Sequence, residues 1–184
     1  SQLTYSKNEK SEHGYLLMLM RPGRKHLISI KLEDKNGVAY FSEVKLSHVT
    51  PELPSDDTLF PKIDITKNLT DEKDELTLFN PRRRLPITLA GANKFNQLFG
   101  MLVIINKNGD VLWYYQTDTR ISDFDILPNG NISYITQDNR IVEIDFAGNT
   151  INQWYAANRP DGGGMDAIPV EAQTFHHDVS LLPN

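Results

Sequence analysis

Residues 174–184 read TFHHDVSLLPN, and His176-His177 followed by Asp178 is the densest group of side chains able to do covalent or proton-transfer chemistry. An imidazole can attack an electrophile, donate to a developing anion or move a proton, and a neighbouring carboxylate can fix its tautomer. The same residues also suit a plain turn in which Asp178 satisfies a solvated imidazole. The chain contains no cysteine, which removes thiolate nucleophiles, disulfides and thiolate metal sites. His13, His26 and His48 are scattered through the first half without ligand spacing, so no metal site is expected. Arg82-Arg83-Arg84 could gather an anionic substrate, although a charge run is ordinarily a solvated face. Gly162-Gly163-Gly164 lacks the spacing of a phosphate-binding loop and follows a β pattern, so no nucleotide is expected there.

These residues must be positioned by strands. Short alternating segments separated by turn residues run the length of the chain, and no segment sustains a helical period. The fold class is therefore all-β. In the first half the expected strands are 15–20, 26–32, 39–49, 60–66, 75–79 and 85–89, separated by clusters such as Arg21-Pro22-Gly23 and Lys35-Asn36-Gly37. Six strands at this spacing suggest a small β-sandwich-like domain over residues 1–90.

The second half repeats. VIINKNGDVLWYY (103–115) and IVEIDFAGNTINQWYA (141–156) share a strand, a polar turn with glycine, a second strand, and tryptophan followed by tyrosine. Each reads as a hairpin, with Asn108-Gly109 and Gly148-Asn149 supplying the positive φ of a tight turn. DFDILPNGN (123–131) likewise aligns with DVSLLPN (178–184). End to end, residues 123–155 predict a four-stranded meander, a unit that stacks radially into a β-propeller. Trp113 and Trp154, at matched strand ends, read as packing between such units. The expected division is thus 91–184 as an incomplete propeller of about one and a half to two blades. The repeat phase also predicts a longer protein, interrupted in mid-blade at Pro183-Asn184.

Composition narrows the partners. With 39% hydrophobic residues the chain can build a core, and its formal net charge of -5 argues against nucleic acid as a partner. No apolar run approaches membrane-spanning length, so no span is expected. Residues 156–173 replace a tight turn with a long loop leading into His177, the kind of segment that often carries function.

Taken together, FGMLVIINKNGDVLWYY (99–115), DFDILPNGN, RIVEIDFAGNTINQW (140–154) and TFHHDVSLLPN resemble the N-terminal region of the bacterial arylsulfate sulfotransferases. The resemblance implies an N-terminal β-sandwich followed by a six-bladed propeller. It also implies sulfuryl transfer from a phenolic sulfate donor to a phenol acceptor, with no nucleotide sulfate donor and no cofactor. In that family a channel histidine attacks the sulfur and carries the group as sulfohistidine, while further histidines and an arginine from later blades bind its oxygens. Aligned on the Pro-Asn turn, one of the family's channel histidines falls on His177, as a ligand to the sulfuryl oxygens or an acid to the leaving phenolate, with the family's covalent nucleophile expected outside this sequence. If the strand there is regular, His176 must face the other way. The resemblance places the protein outside the cytoplasm, in the periplasm, at the cell surface or secreted, and allows a homodimer. Two alternatives come from other classes. One is a non-catalytic propeller for binding or scaffolding; the other is a quinone-cofactor dehydrogenase, which would repeat aspartates and a tryptophan in most blades.

Overall fold

The computed structural model describes residues 14–56, 60–67, 75–159 and 166–178. Near the start, β1 (Lys25–Ile28) pairs antiparallel with β4 (Leu46–Val49), and β2 (Lys31–Glu33) with β3 (Ala39–Phe41). The β2–β3 turn is closed by Asp34, whose carboxylate accepts the backbone N–H groups of Asn36 and Val38 at 2.8 and 2.9 Å. Three expected strands do not form. Leu19, at φ 60, sits in a left-handed conformation that no strand permits, so 15–20 is irregular. Segments 60–66 and 85–89 each contain a proline, Pro61 or Pro86, which removes a ladder donor. The second of these runs instead into a short helix, α1 (Ala92–Leu98), absent from the strand-only reading.

The rest is two sheets. β5 (Leu76–Phe79), β6 (Gly100–Asn106) and β7 (Val111–Thr117) form one, in that order and antiparallel throughout. β5, expected among the N-terminal strands, is thus hydrogen-bonded to the first of the repeated hairpins. The second sheet contains β8 (Ile121–Ile126), β9 (Ile132–Thr136), β10 (Arg140–Ile144) and β11 (Thr150–Ala156) as consecutive antiparallel neighbours. The predicted meander is present. A fifth strand, β12 (Ile168–Val170), adds parallel to β11, so part of the expected long loop is sheet. Gly162-Gly163-Gly164 and His13 lie outside the described residues.

Three hairpins turn in the same way. Asn106, Leu127 and Asp145 each accept the N–H of a glycine three residues on, at 2.9, 2.8 and 3.0 Å. Those glycines, Gly109, Gly130 and Gly148, have φ of 80, 86 and 85, which side chains with a Cβ resist. The register shifts beside two of these turns, at Ile104/Ile105 and Glu143/Ile144, as expected where a left-handed glycine follows a tight turn. The repeat seen in the sequence even exchanges its partners. Asn106 Nδ2 donates to Asp110 at 3.0 Å in one hairpin, and in the other Asn149 Nδ2 donates to Asp145 at 2.9 Å.

β6 is buried on both faces, which explains its unbroken apolar run MLVII. Met101, Val103 and Ile105 join Phe60, Phe99 and Val111 in one core, while Leu102 joins Ile121, Ile132, Tyr134, Val142 and Ile144 in the other. Each fully buried side chain of this size contributes about 1.5–3 kcal/mol. Trp113 couples the two sheets: its indole Nε1 donates to Phe146 O at 2.8 Å and its ring meets that of Phe146 edge-on at 5.6 Å. Among the described residues no helix is long and apolar enough to cross a membrane.

Candidate functional site

The segment carrying His177 is fixed at one end of the second sheet. At that end β8 begins, β9 ends, β10 begins and β11 ends. After β12 the chain stays on the sheet through bonds from Ala157 N to Val170 O at 2.8 Å and from Asn158 N to Ala172 O at 3.1 Å. Thr174 then donates its hydroxyl to Asn139 Oδ1 at 2.5 Å. Asn139, in the β9–β10 turn, has φ 64, a conformation that asparagine tolerates better than most residues.

Three residues further on, His177 itself has φ 75. The extended alternation expected of His176 and His177 therefore does not hold. Both imidazoles are exposed, and their rings meet edge-on, centroids 4.6 Å apart at 88°. Left-handed backbone at a non-glycine residue costs free energy and concentrates at binding and catalytic positions. The strand expected beyond Asp178 lies outside the described residues.

At the same end, a cavity of about 290 Å³ opens between the two sheets, lined by Tyr115, Thr117, Asp118, Tyr134, Arg140 and Gln153 among others. Arg140 Nη2 pairs with Asp138 at 2.6 Å, and Nη1 reaches Gln153 Oε1 at 3.4 Å. Burial alone would lower the guanidinium, but the hydrogen bond and charge of Asp138 outweigh it, so its pKa is raised. Burial, then a hydrogen bond with Tyr115, raises the Tyr134 hydroxyl well above the ordinary phenol value. Tyr134 thus stays a neutral donor, and Arg140 is already neutralised. The cavity offers an aromatic wall and hydrogen-bonding groups, with no histidine among its lining residues.

The opposite face of the second sheet carries a polar row that composition and spacing did not flag. Asp125, Ser133, Glu143 and Asn152 are register partners across β8, β9, β10 and β11. Glu143 is only 5% exposed, and three amides close on it. Asn129 and Asn131 donate to Oε1 at 3.0 and 2.6 Å, and Asn152 donates to Oε2 at 2.7 Å. The bonds from Asn131 and Asn152 hold the carboxyl below its ordinary range, against the opposing effect of burial. A carboxylate so satisfied is a lock, not an acid or base at neutral pH. It also explains the LPNGN motif, because Asn129 and Asn131 of that turn are the side chains that clamp β10. Beside it Ser133 Oγ is buried without a partner among the described residues.

Other candidates fall elsewhere. His26 and His48 are cross-strand neighbours in the β1–β4 ribbon, and His26 Nε2 sits 2.9 Å from Arg21 O. No group of three or more potential metal ligands occurs among the described residues. Arg82-Arg83-Arg84 lies in the connection from β5 to α1, and hydrogen bonds flanking it lead back to Arg120, at the end of the sheet just described.

Comparison with known protein families gives a match to the model described as Arylsulfotransferase (ASST) over residues 62–184, well over half of the chain. No curated protein matches, and neither does any solved structure. The match spans both repeated hairpins, the meander and the histidine segment, and on it the chain belongs to the arylsulfotransferase (ASST) family.

Proposed function

We propose that the protein is an arylsulfate sulfotransferase that moves a sulfuryl group from a phenolic sulfate ester to an acceptor phenol through a sulfohistidine. The reading rests on the family match across residues 62–184, within which His177 falls. In its finer form the two sheets are successive parts of a β-propeller preceded by a sandwich-like domain, and the protein works outside the cytoplasm.

In the first step a histidine nitrogen bonds to sulfur while the bond from sulfur to the aryl oxygen breaks and the phenolate leaves with a proton from a nearby acid. In the second, the acceptor phenol gives its proton to the group that acted as acid in the first step, its oxygen attacks the sulfur, and the nitrogen–sulfur bond breaks. Two displacements replace one harder one, and cationic donors around the three peripheral oxygens stabilise the charge that spreads over them. His177 takes the second role: a donor to a sulfuryl oxygen or the acid for the phenolate, not the covalent nucleophile. Its exposure leaves the imidazole accessible to substrate, and the tie from Thr174 to Asn139 fixes the approach of its segment to the sheet. Tyr134 and Tyr115 could border the aryl group.

The test is transfer from p-nitrophenyl sulfate to phenol by the full-length protein, with His177→Asn compared. Loss of one oxyanion or acid contact should cut kcat about 10²-fold. No transfer, or a His177→Asn rate equal to wild type, would remove the assignment.

A further inference from the structure

Arg82-Arg83-Arg84 is pinned at both of its ends. Before it, Asn80 Nδ2 donates to Ile121 O at 3.0 Å. After it, Leu85 N donates to Asn96 Oδ1 at 2.7 Å while Asn96 Nδ2 returns a bond to Leu85 O at 3.0 Å. The residue following Asn96 closes the ring, because Gln97 O accepts Arg120 N at 3.0 Å. The short connection from Asn80 to Leu85 is thereby held beside Arg120, the residue immediately before β8.

The result is a local concentration of positive charge. Residues 80–98 contain no aspartate or glutamate. Among the described residues the ion pairs involve Arg21, Lys31, Lys62 and Arg140, and none of Arg82, Arg84 or Arg120. Burial, then the charges of Arg82 and Arg84, lowers the Arg120 guanidinium, so these cations sit close enough to repel. The Asp118 carboxylate, two residues away, acts on Arg140 and Tyr134. Arg82 and Arg84 are exposed and Arg120 is half-buried, so a solute can reach all three. Like charges gathered by fixed hydrogen bonds lower the cost of binding an anion that bridges them, and guanidinium groups fit tetrahedral oxyanions with paired N–H donors.

We propose that Arg82, Arg84 and Arg120 form an oxyanion subsite that takes the sulfate group of a sulfate ester. Arg120 immediately precedes β8 at the end of the sheet to which Thr174 is tied, and Gln137 N donates to Arg120 O at 2.8 Å in the same turn region. A sulfate ester held there waits at the end of the sheet that also carries the His177 segment. Naming the sulfate ester as occupant rests on the arylsulfotransferase reading; the binding of a tetrahedral oxyanion rests on the arginines alone.

The experiment follows the arginine Nε–Hε resonances of the 184-residue chain while p-nitrophenyl sulfate, inorganic sulfate, inorganic phosphate or chloride is added at constant ionic strength. The expected result is a saturable response of Arg120 to p-nitrophenyl sulfate, displaced by inorganic sulfate and absent with chloride. Arg84→Gln should weaken binding about fivefold, as for one solvent-exposed charge contact. Arg82→Gln, an exposed change with no fold dependence expected, should weaken it similarly, while Lys62→Gln leaves it unchanged. An equal response to chloride, or unaltered binding in both arginine variants, overturns the proposal, and binding of phosphate but not of either sulfate overturns its occupant. In the transfer assay, sulfate binding without sulfuryl transfer would retire the sulfotransferase reading and leave the subsite standing. Transfer with no arginine-dependent binding would do the reverse.

Discussion

Replacing Glu143 by glutamine keeps the shape of the side chain and changes only what its two terminal atoms offer. In the native protein both oxygens accept, from Asn129, Asn131 and Asn152. In Glu143→Gln one atom becomes an amide nitrogen, so either Asn152, or Asn129 and Asn131, meets a donor with a donor unless the amides turn over. Every remaining bond also loses its charge assistance. One charge-assisted bond lost at a site 5% exposed should cost about 2 kcal/mol, within the range for hydrogen bonds to charged groups. For a domain of this size that lowers the midpoint of thermal unfolding by about 4–8 °C. The pH dependence makes the test specific. The folded carboxyl lies below its ordinary value of 4.5, so its contribution is complete above that value and disappears as the pH falls through the folded pKa. Urea unfolding of both proteins across pH 7 to 3 should show the gap between them closing on the acid side of 4.5. A gap that is absent at pH 7, or undiminished at pH 3, would refute the argument that an ionised Glu143 is what the asparagines hold.

Two further changes test the packing that positions the site. Gly100→Ala places a methyl group against Thr119 O and Thr117 Oγ1, at the start of β6, where backbone cannot yield; a loss of about 2 kcal/mol or more is expected in urea unfolding. Trp113→Phe removes the donor to Phe146 O and part of the ring that couples the two sheets, which should cost about 2 kcal/mol and expose Phe146 to solvent-accessible labelling.

What could be read most fully in the sequence was what repeats. The hairpins around Gly109 and Gly148 each needed a residue tolerant of positive φ, and the glycines mark both. The meander of β8 to β11 follows because its faces alternate: Ile132, Tyr134, Val142 and Ile144 enter one core while Ser133 and Glu143 stand on the other side. Outside the repeat the pattern is only partly reliable: β5 lies where 75–79 predicts a strand, and 26–32 and 39–49 each hold two short strands rather than one. Segment 85–89 looks like a strand by its leucines, yet Pro86 and the left-handed Gly91 shape a turn that delivers Asn96 to Leu85. β12 was hidden because Ile168–Val170 contains Pro169 and is too short to alternate, and it becomes a strand only because β11 offers a free edge.

The site divides along the same line. His177 stood out by residue type and by the family resemblance, but its left-handed backbone did not, since histidine carries no strict preference for that φ. Glu143 was illegible because the residues that hold it are separated from it by 14, 12 and 9 positions and meet it only when the meander closes. The arginines show why a charge run cannot be judged alone. Arg82 and Arg84 would be ordinary solvated cations on a free loop. Asn80, Asn96 and Gln97 are what hold their connection beside Arg120, and these are neutral residues whose hydrogen bonds exist only in the folded chain. Charge in the sequence thus supplies the chemistry of the proposed subsite, while amide side chains and backbone carbonyls supply its location.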